Sequence, residues 1–331
     1  MKILIIGGNG NISWHCTNEA IKKGYDVWVL NRGISKEIKR PLSNLVKEIC
    51  ADLRNFEYMK KIVHELKFDV IVDFICYTPE QAEIDIKLFS DKVRQFFFIS
   101  STAVYNRPNA KLPFTEKASQ ENLEWKYSIN KSLCEKIFFQ EYECNNFPVT
   151  IIRPAHTYDI IMPSAVGKSD WTIAQRLLDG KPIVLHGDGT TLWTVTHSED
   201  FAKALVGLFG NINTVGEDFH ITSDEWLTWR QIINITADVL NVKRPDFVYV
   251  SSDYINKIDP SLGCGIIGHK AWCDIYDNSK IKLFLPSWET KINFYEGIER
   301  TINWFKQNPR CLLIDQNLNN FLDNICEKFK L

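Results

Sequence analysis

The chain has 331 residues, of which 45% are hydrophobic and 24% are charged, and its formal net charge is -2. This length accommodates one large domain and a smaller one, and the composition is typical of a globular protein in water. The nearly balanced charge excludes the basic excess that marks most nucleic-acid-binding domains.

The first predicted elements are a strand, a glycine-rich turn and a helix. Residues 1–6 form a short apolar run, Gly7 begins the turn, and residues 14–23 have a helical pattern. Gly7 permits a tight turn, and Gly10 lets the backbone approach a pyrophosphate at the positive end of the helix dipole. Ser13 stands where a third glycine is usual, and we expect it to alter this approach slightly. A strand-to-helix turn without a ligand is the alternative.

A second predicted strand, residues 26–30, is followed by Asn31 and Arg32. An acidic residue at this place would accept a hydrogen bond from the ribose 2′-hydroxyl of NAD, whereas Arg32, with Ser35 and Lys36 beyond it, could hold the 2′-phosphate of NADP. We therefore predict a dinucleotide site that favours NADP. The alternatives are that the basic residues are solvated loop charges and that Asn31 bonds a ribose hydroxyl.

Strand-like and helix-like segments alternate up to about residue 155, the pattern of a parallel sheet with helices on both faces. We therefore predict a Rossmann-type, doubly wound α/β fold for residues 1–160. Beyond residue 162 the pattern is less regular and rich in proline and aromatic residues, which indicates a smaller substrate-binding cap in residues 161–331. The substrate is expected in the cleft outside the carboxyl ends of the strands.

A further apolar run ends at Ser100 and Ser101, and the pair Tyr127 and Lys131 follows in a predicted helix. A spacing of four residues places the phenol and the ammonium on one helix face, where the positive charge stabilises a phenolate. A hydroxyl, a phenol and an ammonium that converge in this way are suited to acid-base catalysis of a redox reaction. The same spacing is also common on solvated helix faces.

The apolar runs and the cysteines indicate a cytoplasmic protein. The aliphatic run after Met1 stops at Gly7, and no apolar run approaches the ~20 residues of a membrane span. The nine cysteines are scattered and form no Cys-x-x-Cys pair, a pattern typical of reduced thiols. We therefore expect no disulfide framework and no metal site.

With these motifs together, the chain resembles the extended short-chain dehydrogenase/reductase family, the group of NAD-dependent epimerases and dehydratases. The resemblance extends over about residues 1–308. Gly7, Gly10 and Ser13 match the family's glycine turn. Ser101 matches its catalytic Ser/Thr, and Tyr127 and Lys131 match its Tyr-x-x-x-Lys pair.

The resemblance implies a role for each matched residue. Tyr127 is expected to be the acid or base, Lys131 to support it and to bond the nicotinamide ribose, and Ser101 to hold the substrate oxygen. Substrate contacts are expected from Thr102, His156 and Trp193. The residues implied for binding NAD or NADP are Gly7, Gly10, Asn11, Ile12, Asn31, Arg32, Asp52, Leu53, Phe74, Ile75, Tyr127, Lys131 and Pro154.

The family pattern also implies a discontinuous division of the chain, in which part of residues 190–225 returns to the sheet domain. The 4,6-dehydratases of the family place an Asp-Glu pair directly after the catalytic Ser/Thr. This chain has Thr102 and Ala103 there, so dehydration is not expected.

A second departure from the family pattern concerns the residues that hold the diphosphate of a nucleotide sugar. Many members that act on nucleotide sugars hold it with an arginine and an asparagine where this chain has Trp193 and His156. The expected substrates are therefore a sugar without a diphosphate, or a nucleotide sugar whose diphosphate is held by other residues such as Arg176 or Lys168. Trp193 could offer a face for stacking, or it could be a buried packing residue.

Together these features predict an NAD(P)-dependent epimerase or oxidoreductase that transfers hydride at a carbinol carbon of a sugar or nucleotide sugar. The alternatives are a reductase or dehydrogenase of a non-nucleotide substrate, a regulatory dinucleotide sensor, and a non-catalytic nucleotide- or RNA-binding relative. The last two are disfavoured by the intact Ser-Tyr-Lys set. The expected partner is a small-molecule sugar, without nucleic acid or membrane, and a homodimer is compatible with the family.

Overall fold

The computed structural model describes residues 1–33, 40–108, 111–167 and 171–329. The described strands, in chain order, are β1 (Lys2–Ile6), β2 (Asp26–Asn31), β3 (Lys47–Cys50), β4 (Phe68–Asp73), β5 (Val93–Ile99), β6 (Val149–Pro154), β7 (His156–Tyr158), β8 (Ile183–His186), β9 (Leu192–His197), β10 (Asp218–Ile221), β11 (Trp226–Thr228) and β12 (Phe247–Val250).

The described helices are α1 (Ser13–Lys22), α2 (Phe56–Ile62), α3 (Pro79–Phe89), α4 (Lys126–Asn145), α5 (Thr172–Leu178), α6 (Ser198–Gly207), α7 (Trp229–Leu240), α8 (Ser252–Ile258), α9 (Pro260–Gly265), α10 (Ser279–Phe284), α11 (Phe294–Gln307) and α12 (Gln316–Phe329). A short 3₁₀ turn, Thr102–Val104, follows β5.

Seven strands form one parallel sheet in the order β10-β6-β5-β4-β1-β2-β3. The strand order reverses between β1 and β4, and the carboxyl ends of these strands therefore frame a crevice where ligands bind in doubly wound folds. This arrangement confirms the Rossmann-type α/β fold predicted from the alternating pattern.

The sheet is buried on both faces, as its continuous apolar strands require. Successive residues of a strand point to opposite faces, so Phe97 packs in one core while Phe96 and Phe98 pack in the other. The helices α1 and α6 cover the first face, and α3 and α4 cover the second. The crevice thus lies at the edge of a sheet that helices cover on both faces.

The later part of the chain contributes to both halves of the molecule. Strand β10 pairs with β6 at the edge of the main sheet, and α6 packs on α1. A separate hydrophobic cluster surrounds Trp193 and Trp229 and includes buried residues of α5, α7, α11 and α12. No helix among the described residues is long and apolar enough to cross a membrane.

A buried ion pair joins the sheet to the helix that carries the Tyr-Lys pair. Arg153 at the end of β6 donates from Nη2 to Glu135 Oε2 of α4 over 2.6 Å, and its Nη2 also lies 2.8 Å from Asp218 Oδ2 of β10. Arg153 is 0% exposed and Glu135 is 1% exposed. Because both charges are out of water, removing one leaves the other without compensation.

We predict that Arg153→Met lowers the free energy of unfolding by about 3–5 kcal/mol, the usual effect of breaking a buried pair. Urea unfolding followed by circular dichroism measures this change. Arg244→Met is the control, since Arg244 pairs with Asp238 on the surface, and it should change the midpoint little. Equal shifts in the two variants would show that the Arg153 pair does not anchor α4.

Candidate active site

The turn after β1 approaches its neighbours so closely that only glycine fits. Gly7 has φ +77°, and a Cβ there would lie 2.6 Å from Ile75 Cγ2. A Cβ on Gly8 would lie 2.6 Å from Val29 Cγ2. The turn therefore packs closely against β2 and the segment after β4, and its backbone lines the neighbouring cleft at Gly7 and Gly10.

Ser13, in the third position of the glycine pattern, closes the turn with its hydroxyl. Its Oγ accepts from the Gly10 backbone N–H over 2.8 Å and donates to the Gly7 carbonyl over 2.5 Å. The side chain is buried at the start of α1, so it takes little space from the crevice. The departure from the usual glycine thus stiffens the turn.

A cleft of about 940 Å³ opens beside this turn, and ten of the residues predicted to bind the cofactor line it together. They are Gly7, Gly10, Asn11, Ile12, Asn31, Arg32, Asp52, Leu53, Phe74 and Ile75. Three predicted cofactor residues, Tyr127, Lys131 and Pro154, are not among its lining residues. Pro154 is buried at the end of β6.

The end of the cleft beside β2 carries the residues expected to select the cofactor. Arg32 is exposed, and the Nδ2 atom of Asn31 is enclosed without a hydrogen-bond partner in the described part of the chain. An amide N–H in this position can donate to a ribose hydroxyl. Ser35 and Lys36 lie outside the described residues.

Lys131 is fixed at the carboxyl ends of β4 and β5. Its Nζ donates to the carbonyls of Cys76 and Ile99, each over 2.7 Å, and the residue is 1% exposed. Since an ammonium has three N–H groups, one remains for another acceptor. Nζ lies 6.0 Å from the centre of the Tyr127 ring, and within the described chain the half-buried Tyr127 has no hydrogen-bond partner for its hydroxyl.

The two serines after β5 have different surroundings. Ser100 is buried and donates to Glu135 Oε1 over 2.5 Å. Ser101 is half-buried, and its Oγ accepts from the backbone N–H of Ala103 over 3.1 Å, which leaves its own proton free to donate. Ser101 is therefore the serine that can hold a substrate oxygen.

A pair of buried carboxyl groups beside Lys131 was not predicted from the sequence. Asp73, at the end of β4, and Asp85, on α3, are both 0% exposed. Burial raises the pKa of both, and the neighbouring Asp73 raises the pKa of Asp85 further, whereas the charge of Lys131 acts to lower the pKa of Asp73. The proximity of Asp73 thus disfavours the ionised form of Asp85, while the ammonium of Lys131 favours the ionised form of Asp73.

The residues expected to contact substrate are enclosed to different degrees: Thr102 and Trp193 are buried, and His156 is half-buried. Thr102 is 0% exposed and begins the 3₁₀ turn. His156 meets Trp193 edge to face, with ring centres 5.6 Å apart. Burial lowers the pKa of His156 to about 3, so this imidazole is uncharged at neutral pH.

Trp193 is enclosed in the cap, which agrees with the packing alternative. It is 0% exposed, and its ring lies 4.8 Å from the rings of Trp229 and His269. The face expected to be free for stacking is thus covered by protein. Its Nε1 is also enclosed, without a partner in the described residues.

Arg176 does not fit the suggested diphosphate site. It is 1% exposed and donates to Asp323 Oδ1 over 2.6 Å and to the carbonyl of Pro182 over 2.9 Å. These bonds fasten α5 to α12, and the expectation that Arg176 could hold a diphosphate is therefore wrong. Lys168 lies outside the described residues.

Comparisons with known proteins show which family this chain resembles. The model of the NAD dependent epimerase/dehydratase family matches residues 3–222. Chloroplast stem-loop binding protein of 41 kDa b from Arabidopsis thaliana is 24% identical over 258 residues, 75% of this chain and 65% of that protein. 2′-Dehydrokanamycin reductase from Streptomyces kanamyceticus is 23% identical over 234 residues, 70% of this chain and 64% of that protein. The match thus spans slightly less than two thirds of each relative.

One solved structure shows the same fold over nearly the whole chain. UDP-glucuronic acid 4-epimerase from Bacillus cereus, in complex with UDP-glucuronic acid and NAD, matches with a TM-score of 0.74 and 19% identity. The match covers 93% of this chain and 100% of the other. At this identity the similarity establishes the fold alone.

We predict that Gly7→Ala weakens NAD binding by about tenfold or more, because a loss of about 1.4 kcal/mol of binding free energy already raises the Kd tenfold. The added methyl group would displace Ile75, which lines the cleft. Gly24→Ala is the matched control, because Gly24 has φ +76° but open space around it. Calorimetric titration of NAD should show a loss only in Gly7→Ala. A similar loss in both variants would indicate backbone strain and not the close approach.

Proposed function

The chain belongs to the NAD dependent epimerase/dehydratase family, and we propose that it is an NAD(P)-dependent epimerase or oxidoreductase acting at a carbinol carbon of a sugar or nucleotide sugar. One observation carries the proposal most directly. Lys131 is fixed at the carboxyl ends of β4 and β5, Tyr127 lies one turn earlier on the same helix, and the hydroxyl of Ser101 follows the end of β5 by two residues.

The cleft fits a dinucleotide. The turn at Gly7 leaves no room for a side chain, and the enclosed Nδ2 of Asn31 offers a donor at the far end of the same cleft. A pyrophosphate is suited to the bare turn at the start of α1, and a ribose hydroxyl to Asn31. When bound, the cofactor supplies the acceptor and donor of hydride.

The residues of the chain move the proton. Tyr127, as the phenolate, accepts the proton of the substrate hydroxyl while the C–H bond breaks and a carbonyl forms. Lys131 stabilises the negative charge on the phenolate, and Ser101 donates a hydrogen bond to the substrate oxygen and orients the carbon. On the return, Tyr127 gives the proton back to the oxygen.

An epimerase and a dehydrogenase share this step and differ in the fate of the ketone. In an epimerase the ketone turns over in the site and is reduced on its other face; in a dehydrogenase it leaves. Native mass spectrometry of the purified protein separates the two, because an epimerase that recycles its cofactor retains NAD(P) and a dehydrogenase exchanges it.

We infer epimerisation or oxidoreduction in preference to dehydration. Thr102 and Ala103 follow Ser101, and neither can transfer a proton as the Asp-Glu pair of the dehydratases does. The absence of an acid and base directly after Ser101 leaves Tyr127 as the group for proton transfer at the substrate.

A second candidate is a reductase of a non-nucleotide sugar. The uncharged His156 and the enclosed Trp193 stand where a diphosphate is held in nucleotide-sugar members of the family. A doubly charged diphosphate without a cation or several N–H donors would be costly to bind. This observation favours a substrate without that group.

We predict that Tyr127→Phe lowers turnover by about 100- to 10,000-fold, the range that general acid-base catalysis supplies, and leaves NAD affinity nearly unchanged. Turnover is followed through the absorbance of reduced nicotinamide with a panel of sugars, and affinity by calorimetry. Tyr142→Phe, on the same helix α4 but packed beside Gly216, should retain activity. Near-normal turnover of Tyr127→Phe would remove this residue from the mechanism.

For the cofactor, we propose a preference for NADP through Arg32. Arg32→Ala should lower NADP affinity by about tenfold or more, as expected for loss of a charge-assisted contact, and change NAD affinity little. Arg54→Ala is the control, since Arg54 is also exposed and lines the same cleft. Tighter binding of NAD than of NADP by the unmodified protein would contradict the preference.

A further inference from the structure

A π-helical turn in the cap lies against the start of helix α4. The turn, Ile266–Lys270, directly follows α9, and it is closed by the Ala271 backbone N–H, which donates to the carbonyl of Ile266 over 2.8 Å. Turns of this kind are rare and often occur at functional sites. The turn therefore marks a contact between the cap and the helix that carries Tyr127.

The π-helical turn is anchored in the cap at both ends. Ile266 is 1% exposed and belongs to the same hydrophobic cluster as Trp229. Lys270 Nζ donates to the carbonyls of Ser164 and Gly167 over 2.6 and 3.1 Å, and Trp229 Nε1 donates to the carbonyl of Lys270 over 3.3 Å. Because packed interiors transmit a displacement and do not absorb it, the turn resists movement away from α4.

The middle of the turn meets Trp125, the residue directly before α4. A Cβ on Gly268 would lie 2.9 Å from Trp125 Cβ and 3.5 Å from both Glu124 Cβ and the backbone nitrogen of Trp125. The first of these distances leaves room for glycine alone. The backbone of the turn is therefore in direct contact with the segment that enters α4.

Trp125 extends this contact to the proposed acid-base residue. The ring centres of Trp125 and Tyr127 are 4.7 Å apart, and their planes are inclined by 41°, as in a packed aromatic pair. Both residues are half-buried. Because no hydrogen bond from the described residues holds the hydroxyl of Tyr127, the place of the phenol depends on how its ring is packed.

Asn122 ties the π-helical turn to the 3₁₀ turn that begins after Ser101. It is 6% exposed, and its Nδ2 donates to the carbonyls of Gly268 and Ala103, each over 2.7 Å. The hydroxyl of Ser128, in the first turn of α4, donates to the carbonyl of Asn122 over 3.2 Å. One buried amide thus joins the cap, the 3₁₀ turn and the start of α4.

A buried ion pair makes a second link between the 3₁₀ turn and the cap. Arg107 Nη2 donates to the carbonyl of Thr102 over 2.9 Å and lies 2.8 Å from Asp274 Oδ1. Asp274 is 0% exposed, and its backbone bonds to β9 through Leu192 and Thr194. Because breaking a buried pair is costly, the 3₁₀ turn is fixed firmly to the cap.

We propose that Trp125 and Asn122 are positioning residues, through which the π-helical turn of the cap sets the place of Tyr127 relative to Ser101. The indole fixes the phenol, and the amide fixes the serine turn, against the same stretch of backbone. A misplacement of about 1 Å can lower a rate about 100-fold, so a common support for the two hydroxyls matters to catalysis. This inference rests on the proposed function in one respect, that Tyr127 transfers the proton.

The first test observes Tyr127 directly, by fluorine NMR of the NAD-loaded protein labelled with fluorotyrosine. The signal that is lost in Tyr127→Phe identifies this residue among the 11 tyrosines. Gly268→Ala adds a methyl group that must displace Trp125, so we expect the Tyr127 signal to shift. Gly265→Ala is the matched control, because a Cβ there would make only ordinary contact with the Trp125 ring, at 3.7 Å, and should leave the signal in place.

The second test is steady-state kinetics with a panel of sugars. Gly268→Ala should lower kcat by about 10- to 100-fold and retain NAD affinity, whereas a purely structural contact would lower the unfolding midpoint and leave kcat of the folded protein unchanged. In the Tyr127→Phe background Gly268→Ala should lower turnover no further, because both changes act through one residue. A further loss of equal size there would contradict the proposal.

Trp125→Leu tests the same link without crowding the turn, so it remains a test even if Gly268→Ala does not fold. It should lower kcat over a similar range, and Trp125→Phe, which keeps an aromatic ring, should recover part of the loss. Retained NAD affinity shows that each variant is folded.

Three other results would overturn the proposal: an unmoved Tyr127 signal in folded Gly268→Ala, an equal shift in Gly265→Ala, or unchanged kcat in folded Trp125→Leu. A Tyr127 signal that responds to Gly268→Ala, in a protein that transfers hydride with no sugar, would reject the proposed function and retain the positioning of Tyr127 by the cap. Tyr127-dependent turnover that Gly268→Ala leaves unchanged would reject this inference alone.

Discussion

The ammonium of Lys131 joins helix α4 to the ends of two neighbouring strands, and the geometry of the site depends on it. A buried ammonium is costly unless it is paired or hydrogen-bonded, and the carbonyls of Cys76 and Ile99 supply two acceptors at 2.7 Å. The bonds that satisfy this charge also fix α4 against β4 and β5. Tyr127, one turn earlier on α4, and Ser101, two residues beyond Ile99, are positioned by the same contacts.

Buried charges around this point have two distinct uses. Arg153 is paired with Glu135 and Asp218 and serves the packing of α4 on the sheet. Asp73 and Asp85 form a buried carboxyl pair beside Lys131, in which burial raises the pKa of Asp85 and the charge of Lys131 acts to lower the pKa of Asp73. A charge removed from water must be compensated. The partners that compensate each buried charge therefore show whether it stabilises the packing or belongs to the site.

The cap differs in character from the sheet domain. Its histidines are neutral because burial lowers their pKa values, to about 3 for His186 and about 4 for His269. Its tryptophans are packed against one another. Neutral polar and aromatic groups bind ligands through hydrogen bonds and contact area.

The sequence determined those features that depend on local chemistry. The spacing of Gly7 and Gly10 after a strand, and of Tyr127 and Lys131 in a helix, predicted a dinucleotide turn and an acid-base pair, because turns and helix faces follow from neighbouring residues. The alternation of segments predicted the parallel sheet. The apolar run that stops at Ser101 also predicted that this serine lies at the end of a strand.

Only the tertiary structure decided which polar groups meet across long sequence separations. Nothing near Arg107 in the chain indicates that Asp274 will face it, and nothing near Asp73 shows that Asp85 will share its charge. The tertiary structure also decided that Arg176 forms an ion pair with Asp323 and that the ring of Trp193 packs against that of Trp229. Burial and pairing are properties of the packed molecule, and they set which donors are used up and which remain for a ligand.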